Sequence, residues 1–245
     1  MNAWPHGYGR VVLDEVTSTL DEAGRLAAET SAPFWVMAHR QTAARGRRGR
    51  AWHMPPGNFA GTLVLRPEGD PAHWALRSFV MSLALFRCLE EVIGRADELS
   101  LKWPNDVLLK GGKLAGILLE SSAGALLSIG VGVNLSQAPQ AKEIEAGALR
   151  AVSLADEVDV SIAPDLFLDV LARHYSVAED QFVTYGFEPI RSAWRARAAR
   201  IGDVITARTV RETYSGIFED VDAQGHLVLR GPEGVRTIAA ADVYF

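Results

Sequence analysis

The organisation of the chain turns on KWPNDVLLKGGKLAGILLE, residues 102–120. VLL and LAGILLE read as strands, and KGGK between them reads as a hairpin turn. Pro104 stiffens the preceding turn, and Asn105 and Asp106 stand directly after it. Read alone, PND is also an ordinary turn built on Asn and Asp chemistry. Lys102 and Lys113 add two cations, and Gly111, Gly112 and Gly116 keep backbone accessible.

Working outward, residues 126–136 form a further strand that carries Gly130 and Gly132, a pattern that marks close approach of a ligand or another backbone. Upstream, 10–16 alternates like a strand and 17–29 reads as a capped helix with acids in its first turn. Residues 34–39 are a buried strand, and 58–67 a strand with Phe59, Gly61, Leu63 and Leu65 on one face. Residues 73–92 read as one amphipathic helix whose apolar face holds Met81, Leu85, Cys88 and Val92. Cys88 is therefore a core residue, and Trp35, Trp74 and Trp103 are packing residues. Downstream of a polar loop, helices are predicted over 151–158, 164–185 and 188–199. The texture then changes to short alternating runs cut by DAQG and GPEG, a small β-barrel. The division is 1–198 and 199–245, and the pattern is α+β without a topology of its own.

Bulk properties exclude several classes. The 245 residues carry a net charge of -5, with 48% hydrophobic and 22% charged residues, an ordinary globular balance. No broad basic face is available for DNA. One cysteine rules out an internal disulfide and fits a reducing cytoplasm. The N-terminus does not read as a secretory signal, and no apolar run reaches the roughly 18 residues of a membrane span. The six histidines form no metal-ligand pair.

Against this acidic background, QTAARGRRGRAW at 41–52 places Arg45, Arg47, Arg48 and Arg50 within six positions, with two glycines between them. Guanidiniums fork onto phosphate or carboxylate oxygens. A mobile cationic loop between strands suits closure over a phosphorylated ligand. It lacks the Walker pattern, and on its own it is equally a solvated basic loop.

Taken together, RQTAARGRRGRAW, KWPNDVLLKGGKLAGILLE and GVGVNL resemble the three signatures of biotin protein ligases, in the family's order and spacing. The resemblance covers the chain from about residue 12 to its end. It implies a mixed β-sheet with flanking helices, related to class II tRNA synthetase cores, followed by an SH3-like β domain. It implies that biotin and ATP form biotinyl-5'-AMP, with Mg²⁺, and that a lysine of a biotin carboxyl carrier domain, from acetyl-CoA carboxylase or a related carboxylase, then takes the biotin. Neither step requires a protein nucleophile, in keeping with the lack of a GxSxG elbow. Charge is what the first step requires, since a carboxylate must approach a polyphosphate.

By motif, the resemblance assigns Arg45, Gly46 and Arg47 to the biotin end and the adenylate phosphate, with Arg47 holding the intermediate. Arg50 takes the ATP phosphates, and Trp52 packs on adenine. Lys113 bonds the biotin carboxylate, Gln41 and Gly116 line the biotin pocket, and Ser18 and Thr19 bond the ureido ring. Asn134 reaches the adenine or ribose. Asn105 and Asp106 lie near the phosphates or the incoming lysine; Asp106 either meets Mg²⁺ or orients that lysine, and no metal ligands are assigned. Loops 43–50 and 136–147 are the expected lids. Two departures stand out: Leu20 where the family often has Asn, and Ala44 in place of the loop's first glycine. The ligase pattern begins almost at Met1, so the expectation is a ligase without a DNA-binding module, a monomer or homodimer, without DNA or membrane partners. A lipoate ligase of the same fold and a non-catalytic biotin sensor are the alternatives. An octanoyl transferase would need a reactive cysteine, which Cys88 is not placed to supply.

Overall fold

The KGGK turn forms as its composition demands. Leu109 pairs with Gly112, so Lys110 and Gly111 alone make the turn, at φ 49° and 75°. Two successive left-handed residues define the tight hairpin whose twist matches its strands. This hairpin joins β5 (Asp106–Leu109) to β6 (Gly112–Ser122). The computed structural model describes residues 4–122, 126–140, 143 and 149–245.

Around the hairpin, β1 (Gly9–Val16), β2 (Phe34–Gln41), β3 (Phe59–Leu65), β4 (Leu99–Lys102) and β7 (Leu126–Val133) complete a seven-stranded sheet of order β1-β2-β3-β7-β6-β5-β4. Only β1 and β2 are parallel among these pairs. They are joined by α1 (Thr19–Leu26), the crossover that a parallel pair requires. Ser18 caps α1 by accepting from Leu20 N, and Asp21 and Glu22 lie in its first turn.

The two faces of the sheet have different fates. One packs on α3 (Arg77–Ile93), α5 (Pro164–Tyr185) and α6 (Phe187–Arg195), with Met81, Leu85, Cys88, Val131 and Val133 in the principal core. Trp35, Trp74 and Trp103 are buried there, as expected. Cys88 is fully buried, and burial pushes its thiol well above the usual range. On the other face α1 covers the Phe34, Val36 and Val64 region and, through Leu20, Gly130 of β7. The remainder is lined by small residues: Gly116 pairs with Gly132, and Gly132 with Ala60.

Three expectations need correction. The 73–92 helix is two: α2 (Pro71–Trp74), capped by Asp70, and then α3. Between them Leu76 N bonds His73 O and Phe79 N bonds Leu76 O, contacts three residues back that break the helical register. Strand β4 is an addition, paired through Lys102↔Asp106; four residues are too few for alternation to announce them. The helix predicted over 151–158 is reduced to α4 (Leu154–Val158), because Lys113 pairs in parallel with Ala151 just before it.

The C-terminal strands β8 (Val204–Arg208), β9 (Thr213–Val221), β10 (Leu227–Gly231), β11 (Gly234–Ile238) and β12 (Asp242–Tyr244) form an antiparallel sheet of order β11-β10-β9-β8-β12. This matches the SH3-like expectation. It is seated on the larger sheet by the backbone of Leu101, which bonds Arg197 and Ala199, and by Trp103 Nε1, which donates to Gly225 O at 3.0 Å. No helix of the described residues is long and apolar enough to cross a membrane.

Candidate active site

The uncovered face of the large sheet floors a cavity of about 520 Å³, walled by the 44–53 loop and by β12. All thirteen residues assigned a site role line it or abut it: Ser18, Thr19, Gln41, Arg45, Gly46, Arg47, Arg50, Trp52, Asn105, Asp106, Lys113, Gly116 and Asn134. One local irregularity sets the geometry. Between Val107 and Leu108 the β5–β6 register shifts, so that Leu108 faces Lys113 and Val107 faces Ala115. Leu114 is the extra residue of a β-bulge, a device that re-aims side chains. It puts Lys113 on the same face as Gly116 although they are three apart, with Lys113 Nζ 3.6 Å from where a Gly116 Cβ would stand.

Lys113 Nζ lies 2.7 Å from Asp106 Oδ1, and Lys102 Nζ 3.7 Å from Oδ2. Burial alone would raise the Asp106 carboxyl, but Lys113, Lys102 and Arg47 outweigh it and hold it below the ordinary carboxylate range. Burial pushes Lys102 down, against the pull of Asp106. Asp106 is thus an ionised hub that spaces two ammonium groups, and so low a carboxylate is a poor base.

The four arginines divide the work unequally. The 45–51 segment is a small hairpin: Arg45 pairs with Ala51, and Gly46 N bonds Arg50 O at 2.7 Å. Arg45, which lines the cavity, is gripped by Glu120 at 3.0 and 2.9 Å and by Asp21 at 2.8 Å. The Glu120 hydrogen bond, with Asp21, raises its already high pKa. Arg45 staples the loop to β6 and α1. Arg48 and Arg50 each reach Asp242 Oδ2 on β12 at 2.7 Å. Arg47, the most buried of the four, has long contacts: Asn105 Oδ1 at 3.4 Å, Ala241 O at 3.3 Å and Asp242 Oδ1 at 3.9 Å. Burial lowers its pKa despite Asp242 and Asp106. It is a desolvated cation with room for a stronger anion.

At the far end, Thr19 N and Oγ1 both donate to Gln41 Oε1, at 2.8 and 3.1 Å, and Thr62 Oγ1 donates to Thr19 Oγ1 at 2.9 Å. This fixes the Gln41 amide, whose Nε2 has only Met54 Sδ, at 3.7 Å, as acceptor. Leu20 packs on Gly130, 3.1 Å from where a Cβ would stand, and makes one wall apolar. Trp52 rests on the glycine row, its ring 2.5 Å from a Cβ built on Gly132, with Lys113 Nζ 5.8 Å from the ring centroid. Asn134 is 2% exposed; its Nδ2 donates to Val152 O at 3.0 Å, while Oδ1 is buried without a partner.

Gly132→Ala must displace Trp52, since its methyl cannot share the indole's space. An aromatic stack is worth about 0.5–1.5 kcal/mol, so if Trp52 packs on adenine as the resemblance implies, nucleotide affinity should fall by roughly 2- to 13-fold with little change in melting temperature. Unchanged affinity in a titration would show that the Trp52 seat is irrelevant to the nucleotide.

Sequence reasoning missed Asp242, Glu120, Asp21 and Thr62, and noted Lys102 only as a cation. None sits in a motif that advertises the contact it makes. Of the second expected lid, residues 141, 142 and 144–147 lie outside the described residues; Glu143 Oε1 is 3.8 Å from His53 Nδ1. Among the described residues no three His, Cys, Asp or Glu side chains gather as a metal cage. Mg²⁺ commonly relies on substrate phosphates and one or two carboxylates; Asp106, Glu143 and Asp242 line the cavity, and Asp242 is already committed to the arginine loop.

Comparison with known proteins agrees with this geometry. Residues 8–134 match the model of the biotin/lipoate A/B protein ligase family, and 201–245 that of the biotin protein ligase C-terminal domain. A biotin–[acetyl-CoA-carboxylase] ligase of Paracoccus denitrificans is 51% identical over 96% of this chain and 99% of its own. A bifunctional ligase/repressor of Bacillus subtilis is 30% identical over 95% of this chain and 73% of its own. The structure of a biotin protein ligase from Aquifex aeolicus in complex with biotin and ATP superposes with a TM-score of 0.84 at 25% identity, covering 96% of this chain and 98% of that one.

Proposed function

The chain belongs to the biotin/lipoate A/B protein ligase family, and from that premise we infer that it activates biotin with ATP and passes it to a lysine of a carboxylase carrier domain. In the first step a biotin carboxylate oxygen bonds to the α-phosphorus of ATP and pyrophosphate leaves. In the second the carrier lysine amine attacks the acyl carbon and AMP leaves. The observation that carries the reading is the cluster of Arg47, Lys113 and Lys102 around Asp106 on one face of the sheet. Fixed cations there reduce repulsion between carboxylate and phosphate without reorganising during the reaction.

Within this reading the ring end of biotin meets Gln41 and Ser18, whose N–H and O–H can donate to a ureido oxygen. Gly116 and Leu20 flank the ring. Lys113 meets the carboxylate, and Arg47 the phosphate of the adenylate, with Asn105 orienting its guanidinium. Trp52 and Asn134 serve the adenine: with Nδ2 committed to Val152, the unpaired Oδ1 can accept from an exocyclic amine. Asp106 positions both lysines. Mg²⁺, when bound with the nucleotide, would neutralise phosphate charge, and Asp106 would hold it. Residues 1–198 do the chemistry, while 199–245 brace the arginine loop through β12.

The test is pyrophosphate release without any carrier. Biotin with ATP and Mg²⁺ should give about one equivalent of pyrophosphate per protein, because the adenylate stays bound. Release with lipoate but not biotin would move the protein to a sister activity; none with either would leave a binding protein.

A further inference from the structure

Arg50 has two claims on it: the ATP phosphates in the ligase reading, and Asp242 in the structure. Asp242 Oδ2 lies 2.7 Å from both Arg48 Nη1 and Arg50 Nη2, and Oδ1 lies 3.9 Å from Arg47 Nη1. The carboxylate side chain is only 12% exposed. Three guanidiniums from one short loop thus converge on one sheltered anion. That anion comes from the far end of the chain and is seated by main-chain pairing of Asp242 with Arg208 and of Tyr244 with Thr206. The neighbouring Ala241 O, just before β12, accepts from Arg47, so two successive residues hold the loop at three points.

Arginines this close repel one another, and an oxygen anion between them removes that penalty. A carboxylate oxygen shared by two guanidiniums offers the charge and acceptor geometry that a phosphate oxygen offers. A polyphosphate arriving in the cavity meets cations already occupied, and it carries more charge than the occupant.

We infer that Asp242 is a positioning residue that fills the anion seat of the arginine loop in the ligand-free protein and yields Arg48 and Arg50 to the nucleotide's polyphosphate. This rests on the ligase reading. Asp242 keeps the loop folded before ATP arrives, and its displacement opposes ATP binding. Biotin, at the Gln41 end of the cavity, does not meet it.

Asp242→Asn keeps the shape and removes the charge. The probe is α,β-methylene-ATP, which cannot release pyrophosphate, titrated into biotin-saturated protein. The variant should bind it roughly tenfold more tightly, as expected when one charge-assisted contact no longer competes. Its ligand-free melting temperature should fall, its biotin affinity should not change, and Asp242→Glu should restore the weaker nucleotide binding. Equal or weaker nucleotide binding by Asp242→Asn overturns the inference: equal binding means no competition, and weaker binding means that Asp242 assists the bound state. If neither variant folds, hydrogen exchange of the wild-type strand decides. Faster exchange over 241–244 on adding the analogue supports displacement, and slower or unchanged exchange overturns it. Failure of the ligase reading is seen separately, as absence of biotin-dependent pyrophosphate release by the wild type.

Discussion

Replacement of Lys113 by methionine is expected to slow adenylate formation by about two to three orders of magnitude, the loss typical when one preorganised donor is removed from a transition state. Methionine preserves much of the aliphatic stem but leaves Asp106 with only Lys102, 3.7 Å away, and the weaker influence of Arg47. The same change alters the acid limb of stability. In the wild type, burial raises the Asp106 carboxyl, and Lys113, Lys102 and Arg47 more than reverse this. A carboxylate with a depressed folded pKa contributes stability above its unfolded pKa and loses it as pH falls through the folded one. Without Lys113 the folded value rises, so acid unfolding of the variant should begin at a higher pH. Adding Asp106→Asn removes the stranded charge and should restore acid resistance without restoring the rate, since satisfying or removing a buried pair differs from breaking it. A single variant within about tenfold of the wild-type rate, or a double variant that recovers the rate, would remove Lys113 from the chemistry.

Arg47→Gly should show a different defect. Its guanidinium contacts are long, and burial already depresses its pKa, so its loss should cost the ligand-free fold little. On the ligase reading, what is lost is the grip on the adenylate phosphate. A hydrogen bond to a charged group is worth about 1.5–3 kcal/mol, so biotinyl-5'-AMP should leave roughly 10- to 100-fold faster. Released into solution, the anhydride acylates whatever lysine it meets. Incubated with biotin, ATP and an unrelated lysine-rich protein, the variant should biotinylate the bystander far beyond the wild type. Bystander labelling at the wild-type level would show that Arg47 does not retain the intermediate.

The hairpin at Lys110–Gly111, the glycine row and the cationic loop are legible because each is a local pattern: turn residues at a turn, glycines inside a strand, arginines in a run. Gly130 and Gly132 announce that something lies close, and the structure identifies Leu20 and Trp52 as the neighbours. The bulge at Leu114 is illegible, because Leu114 and Ala115 are both apolar and binary patterning carries no sign of the slip; yet it alone brings Lys113 beside Gly116. Asp242 is illegible for another reason. It lies 192 residues from Arg50 in a short strand of the other sheet, and only the docking of the two sheets makes it a partner. Arg45 has a partner that is equally illegible. A loop arginine reads as a ligand contact, but Glu120, three residues beyond Ile117 on β6, supplies the carboxylate that captures it. Local chemistry shows which residues can bind an anion; tertiary placement shows which anion they already have.

The most direct measurement is the intact mass of a biotin carboxyl carrier domain after incubation with the purified protein, ATP, Mg²⁺ and an equal mixture of biotin and lipoate. Biotin ligase activity predicts a gain matching one biotin per domain, lost when the acceptor lysine is replaced. A gain matching lipoate, or no gain while the protein binds biotin and the carrier is intact, would contradict it.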